Sequence, residues 1–195
     1  AYPMIARLVG SEMCIRDSLL YCNCKRVYNC AGNDVYEGDI SVYRNDWTLP
    51  LEAREHLLEE LHESHFPVRT GTHIEERPGC VNFSVVGRGA NQTERLVYSD
   101  WDCIKEERKG IAERFNEKFP DLHAFVGGVT GVDISSKGCD KSQIIRDFSD
   151  GDVVFFGDRL DPHGNDRPLA DAIEKNKLGM VVEVLGWEDT WNKLK

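Results

Sequence analysis

The stretch Val153 to Asp166, VVFFGDRLDPHGND, places carboxylates in a turn directly after an apolar run. Val153, Val154, Phe155 and Phe156 are consecutive and show no alternation, which predicts a strand buried on both faces, as in a parallel sheet covered by helices. Gly157 permits a sharp exit at the strand's carboxyl end, the edge at which open α/β sheets bind ligands. Asp158, Asp161 and Asp166 would supply hard oxygen ligands there, a set suited to Mg²⁺ beside a phosphate. The same residues also have the composition of an ordinary Asp/Gly/Pro/Asn loop, and the turn alone does not separate the two readings.

A second group is cationic. Leu51 to Phe66 carries five Glu and one Arg, net −4, whereas Pro67 to Ser99 carries Arg69, Arg77, Arg88 and Arg95 against Glu75, Glu76 and Glu94, net +1. In a chain of net charge −10, such a local cluster is what an anionic ligand requires. The overall acidity argues against a nucleic-acid partner, because binding a phosphate backbone wants a basic face. Seven cysteines show no paired CxxC spacing, and Cys22 and Cys24 stand too close for a zinc knuckle or a redox pair, so reduced thiols in a cytoplasmic protein are expected. His56, His62, His65 and His73 read as surface or packing residues. No apolar run approaches membrane-spanning length, and Arg7 to Ser18 lacks the apolar core of a signal peptide.

The elements that must position these groups follow from periodicity. Val27 to Cys30 predicts a short strand, and Val35 to Tyr43 a hairpin turning near Gly38. LEAREHLLEELHESHF predicts a helix started by Thr48 and Pro50, with Leu57, Leu58, Leu61 and His65 as its buried stripe. Strands are expected around Thr72 to Ile74, Val81 to Val86 and Arg95 to Tyr98. A helix should follow with Ile104, Ile111, Phe115 and Phe119 on one face, then a strand from Val129 to Ile134. A helix through Ile144, Ile145 and Phe148, the Val153 strand, a helix around Leu169, Ala170 and Ile173, and a strand from Met180 to Val184 give βα alternation of the parallel-sheet kind. The block 48–137 thus reads as an α+β cap, inserted into an α/β core made of 19–47 and 138–195.

Three motifs in order carry a resemblance: RTGTHIEERPGCVNFSVVGR, Cys139-Asp140-Lys141, and the apolar strand running into Gly157-Asp158 and Gly164-Asn165-Asp166. Together, from about Val27 to about Val184, they resemble the eukaryotic-type phosphomannomutases of the haloacid-dehalogenase (HAD) superfamily. The resemblance implies a HAD-like Rossmannoid core with a substrate-binding cap, Mg²⁺ as cofactor, a phosphorylated hexose as substrate, a role in mannose metabolism and GDP-mannose supply, and a homodimer formed through the cap. It implies that Asp158 ligates the metal, with Asp166 and Asn165 completing or orienting the shell. Lys141 would neutralise the transferring phosphoryl group; a solvated lysine at a helix start is its plainer reading. Arg77, Arg88 and Arg69 would bind the non-reacting phosphate, and Asp133 would accept from sugar hydroxyls.

Departures accompany the matches. The family's phosphoryl-accepting aspartate lies in an Asp-Xaa-Asp-Gly-Thr strand, and no such motif occurs in these 195 residues. Leu8 to Ser18 read as an in-frame translation of a sequencing-library adaptor, so residues 1–18 are set aside as an artefact; a genuine polar extension is the alternative. The natural protein is expected to begin well upstream, with its nucleophile strand there. Thr70 stands where the family has an arginine before Gly-Thr, with Arg69 one residue earlier, and a one-residue shift sends a side chain to the other face of a strand. Gly131 occupies a position where the family offers a serine hydroxyl, and Asn29 to Asp34 differ from the family's Glu-Asn-Gly turn. Three functions follow: a hexose-phosphate mutase working through an aspartyl-phosphate, a sugar-phosphate phosphatase of the same superfamily, or a non-catalytic sugar-phosphate-binding protein.

Overall fold

The computed structural model describes residues 24–148, 153–161 and 164–194. The adaptor-like segment, Cys22, and Pro162 with His163 of the aspartate-rich turn lie outside the described residues. The chain divides into two compact units: one holds Asp46–Lys137, and the other the described residues before and after it.

In the 46–137 unit, helix α1 (Leu51–Glu63) begins directly after Pro50 and buries Ala53, Leu57 and Glu60. Leu58 and His65 are exposed, so the buried stripe is narrower than the leucine pattern predicts. The first three strands, β1 (Val27–Asn29), β2 (Asp34–Glu37) and β3 (Ile40–Arg44), belong to the other unit; here β4 (Ile74–Arg77) and β5 (Cys80–Phe83) form a hairpin. The segment read as a strand at Arg95 to Tyr98 is helical: α2 (Gln92–Lys105) opens with a capping box in which Asn91 and Glu94 satisfy each other's backbone N–H. Glu106, at φ 51°, breaks α2 from α3 (Glu107–Lys118), which rotates Ile104 out of the expected apolar face and leaves it exposed. The single strand expected at Val129 to Ile134 is a pair, β6 (Leu122–Gly127) and β7 (Gly131–Ser136), turning through Gly128.

These strands build an antiparallel sheet in the order β4-β5-β7-β6. Alternation sends Val81, Phe83, Leu122, Ala124, Val132 and Ile134 into a core with Leu57, Tyr98, Ile111 and Phe115. Glu75, Arg77, Asn82 and Asp133 therefore lie on the opposite face. A buried ion pair secures the helix junction: Arg108 Nε donates to Asp102 Oδ2 at 2.7 Å, its backbone N–H to Asp102 Oδ1 at 2.9 Å, and Nη1 to the Gly128 carbonyl at 3.1 Å.

In the other unit, β1 (Val27–Asn29), β2 (Asp34–Glu37) and β3 (Ile40–Arg44) form an antiparallel sheet, with the expected turn at Gly38. A 3₁₀ turn spans Lys141–Asp147 where a helix was expected. Strands β8 (Val153–Gly157) and β9 (Gly179–Glu183) pair in parallel around helix α4 (Arg167–Lys175), whose Leu169, Ala170 and Ile173 pack with Val153 and Phe155. This is the α/β portion of the fold. β8 is not buried on both faces among the described residues: Val153, Phe155 and Gly157 are buried while Val154 is exposed. A last helix, α5 (Trp187–Lys193), follows β9. Among the described residues no helix is long and apolar enough to cross a membrane.

Candidate functional site

Two groups of polar residues stand out, one in each unit. The first sits where β8 ends. A Cβ at Gly157 would lie 2.9 Å from Leu160 and 3.3 Å from the Asp166 Cβ, so glycine lets the chain fold back on itself. Gly164 is still more constrained, because a Cβ there would lie 2.0 Å from the Arg159 carbonyl oxygen. The turn is then closed by Asp166, which is wholly buried: its Oδ2 accepts from the backbone N–H of Asp158 at 3.1 Å and of Arg159 at 3.2 Å.

The other Asp166 oxygen accepts from Lys141 Nζ, which also donates to Asn165 Oδ1 at 3.1 Å. Lys141 is placed by the start of its 3₁₀ turn, where the Asp140 side chain caps the Ser142 N–H at 2.8 Å. Asp166 and Asn165, read from the sequence as completing a metal shell, thus turn to Lys141 and to the loop's own amides. Asp158 and Asp161 are the exposed carboxylates of this turn, and Asp161 Oδ2 accepts from Arg159 Nε at 3.2 Å. Among the described residues no group of three or more His, Cys, Asp or Glu could hold a metal ion. The donor chemistry is therefore that of one or two open carboxylates rather than a closed cage. That fits Mg²⁺, which keeps several waters and takes one or two carboxylates plus substrate phosphate oxygens.

The second group lies on the polar face of the four-stranded sheet. Glu75, Asn82 and Asp133 are directly opposite one another across β4, β5 and β7. Glu75 Oε2 accepts from Arg77 Nη2 at 2.7 Å and from Arg88 Nε at 2.7 Å, so one carboxylate oxygen gathers both arginines. Asp133 Oδ1 accepts from Asn82 Nδ2 at 2.6 Å. Burial draws the Arg88 guanidinium below its ordinary pKa, while Glu75 and Asp133 oppose the fall and Arg77 and Arg95 add to it. For Arg77 burial is again the largest cause and acts in the same sense, but the hydrogen bond and charge of Glu75, with Asp133 and Cys80, together outweigh it and the net shift is upward. Both side chains keep their charge.

The loop that presents Arg88 is tightly determined. Gly87 has φ +88°, and a Cβ there would lie 2.1 Å from the Thr70 carbonyl oxygen. That carbonyl accepts from the Gly89 N–H at 2.9 Å, and the Arg88 N–H donates to Thr72 O at 2.8 Å. Arg95 completes the brace by donating to the carbonyls of Arg88 at 2.9 Å and Ala90 at 2.8 Å.

Arg69 does not join this group. Its guanidinium donates to the carbonyls of Phe66, Val68, Leu61 and Ser64, closing the carboxyl end of α1. Leu61 lies in the last turn of α1 and Ser64 is its C-cap, where carbonyls lack intrahelical partners and a cation is also favoured by the helix dipole, while Phe66 and Val68 belong to the segment that follows. The fold thus brings Arg77, Arg88 and Asp133 to one face and sets Arg69 to a structural task. Glu75 and Asn82 were not singled out from the sequence. The signal available was strand parity: Glu75 shares a face with Arg77 two residues on, and Asn82 breaks the apolar Val81, Phe83 alternation on the opposite face. Of the histidines, His56 packs against Phe115 and Phe119 with ring centroids 6.1 and 5.7 Å away, and His73 Nδ1 lies 2.9 Å from the Ser84 carbonyl oxygen.

Comparison with known proteins places the chain. It is 34% identical over 130 residues to a probable phosphomannomutase of Caenorhabditis elegans, covering 64% of this chain and 49% of that protein. It is 34% identical over 112 residues to the phosphomannomutase of Spinacia oleracea, covering 56% of this chain and 45% of that one. The chain therefore spans about half the length of the curated relatives it matches. Among solved structures, an N-terminally truncated Plasmodium falciparum IMP-nucleotidase superposes with TM-score 0.52 at 12% identity, over 87% of this chain and 48% of that one. A sugar phosphatase of HAD subclass IIB superposes with TM-score 0.50 at 13% identity, over 92% of this chain and 77% of that one. At such identities the likeness speaks to the fold alone, an α/β core of the HAD type. The family profile described as eukaryotic phosphomannomutase matches residues 51–195, which takes in both polar groups, and the chain belongs to that family.

Proposed function

We propose that the protein is a Mg²⁺-dependent phosphohexose mutase that passes a phosphoryl group between the 6- and 1-positions of a hexose, with mannose the sugar to which the family points. The observation that carries this reading is the gathering of Arg77 and Arg88 on one Glu75 oxygen beside Asp133, in a chain of this family. A mutase must present either end of its substrate to the reacting centre. It therefore needs a second anion site for the phosphate that is not reacting, and a pair of guanidinium groups is suited to bidentate phosphate binding. Phosphate oxygens would replace Glu75 on the two arginines, and Asp133 would accept from a ring hydroxyl.

In the other unit, Lys141 would offset the negative charge of the transferring phosphoryl group, a task for a point charge. Asp166 and Asn165 hold its ammonium in place. Asp158 would hold Mg²⁺, which when bound supplies charge to offset the phosphoryl oxygens. The aspartate that accepts the phosphoryl group in this family belongs to a motif absent from these 195 residues, so turnover is assigned to the complete protein, and the chain alone is expected to lack it. A cytoplasmic setting and a homodimer formed through the cap complete the proposal.

The test is Asp158→Asn in the complete protein. Asparagine keeps the shape but loses the charge a hard divalent cation needs. Mg²⁺-dependent interconversion of hexose 1- and 6-phosphates should be abolished with the circular dichroism spectrum unchanged. Unaltered Mg²⁺ dependence would return this turn to the status of an ordinary loop.

A further inference from the structure

Asn82 carries a polar atom the fold leaves unanswered. The residue is only 6% exposed, and its Oδ1 has no hydrogen-bond partner among the described residues. Its amide orientation is not arbitrary. A carboxylate only accepts, so Nδ2 must face Asp133 Oδ1, 2.6 Å away, and the carbonyl oxygen is turned elsewhere. A buried acceptor left without a partner is disfavoured, and a donor arriving from outside the fold would satisfy it.

Space has been left around the Asn82–Asp133 pair by two missing side chains. A Cβ at Gly131 would lie 2.4 Å from Asn82 Nδ2, and one at Gly127 would lie 2.1 Å from Asp133 Oδ2. Glycine at 131 thus admits the Asn82 amide to a position that any larger residue would contest. The amide stands in register between Glu75, which holds Arg77 and Arg88, and Asp133.

We propose that Asn82 is a specificity-determining ligand contact, whose Oδ1 accepts a hydrogen bond from a hydroxyl of the sugar whose phosphate rests on Arg77 and Arg88. The proposal rests on the reading of this sheet face as a phosphosugar site. Asp133 and Asn82 then act as a pair of acceptors, with the Asn82 N–H holding the carboxylate in place. The ligand class is a polyhydroxylated phosphate ester rather than a simple one.

The experiment is titration of the full 195-residue chain with two probes, mannose 6-phosphate and methyl phosphate, in the wild type and in Asn82→Leu, Gly131→Ala and Arg88→Ala. Asn82→Leu should weaken mannose 6-phosphate by about 2- to 13-fold, the range of one neutral hydrogen bond, and leave methyl phosphate unchanged. Gly131→Ala should do the same by displacing the amide without deleting it, and Arg88→Ala should weaken both probes. In the wild type, the Asn82 side-chain amide resonance should shift with mannose 6-phosphate and not with methyl phosphate, which gives a readout free of any folding defect. Unchanged mannose 6-phosphate affinity in Asn82→Leu, or equal losses on both probes, with Arg88→Ala still impaired, would overturn the Asn82 assignment alone. Arg88→Ala binding both probes as the wild type does would overturn the phosphosugar reading and the Asn82 assignment together.

Discussion

The 46–137 unit and its companion solve the burial problem differently. The former puts one face of a four-stranded sheet against three helices and encloses Leu57, Phe83, Tyr98, Ile111, Phe115 and Ile134 almost completely. Its charged residues on the other face are paired among themselves. The companion unit offers a three-stranded sheet and a parallel pair, and leaves large apolar side chains open: Met180 is 61% exposed, Trp187 78% and Leu185 95%. Parallel strands are normally covered on both faces. The lesson is that the substrate-facing chemistry proposed for the sheet rests on a unit with its own packed core, whereas the Lys141–Asp166 group rests on a unit whose described residues cover only one side of β8 and β9.

That contrast can be broken first in the core. Phe115→Ala should cost about 3–5 kcal/mol, since it removes a ring with no exposure to solvent and leaves a cavity. Urea unfolding followed by amide exchange at Val132 and Ile134 reads the loss, and a change below 1 kcal/mol would mean that this core is loosely packed. Met180→Ser, by contrast, should alter stability by no more than about 0.5 kcal/mol, because the side chain is mostly in water already. A loss of several kcal/mol on that substitution would indicate that the open face of β8 and β9 is covered in solution.

A subtler probe concerns Asp34 at the start of β2. Burial raises its pKa above the ordinary 3.8, against the opposing effects of Arg44 and a hydrogen bond from Asn29. The native state therefore binds this proton more tightly than the unfolded chain does. The associated stability is present below the ordinary carboxylate value and is lost as pH rises through the raised one. Asp34→Asn should accordingly raise the melting temperature at pH 7, and the gain should vanish as pH falls below about 3.8. A lower melting temperature at pH 7 would mean that Arg44 and Asn29 outweigh the burial.

Much of this arrangement was legible in the residues. The apolar run at Val153, the Gly38 hairpin and the α4 pattern each carried local signals strong enough to stand alone. Other elements were misread for identifiable reasons. Arg95 to Tyr98 looked extended because Leu96, Val97 and Tyr98 suit a strand, yet the Asn91-Xaa-Xaa-Glu94 box just before them is a helix start. The break at Glu106 depends on a left-handed residue that no glycine announces. For the candidate site, residue type and motif order picked out Arg77, Arg88 and Asp133. Glu75 and Asn82 emerge only once strand register is known, because their significance is the neighbour across the sheet. Arg69 turns away from this face for a related reason: carbonyls at and just beyond the end of α1 claim its guanidinium, four in all.

The central claim, that the polar sheet face anchors the non-reacting phosphate, is tested most directly by Arg88→Ala in the complete protein with two substrates. Losing this guanidinium removes charge-assisted hydrogen bonds worth roughly 1.5–3 kcal/mol, or about 10- to 150-fold. Interconversion of hexose 1- and 6-phosphates should fall by that factor, while hydrolysis of a small aryl phosphate with no second anchoring group stays unchanged. Comparable small losses on both substrates would contradict the mutase account and favour a phosphatase whose cap only shields the reacting centre.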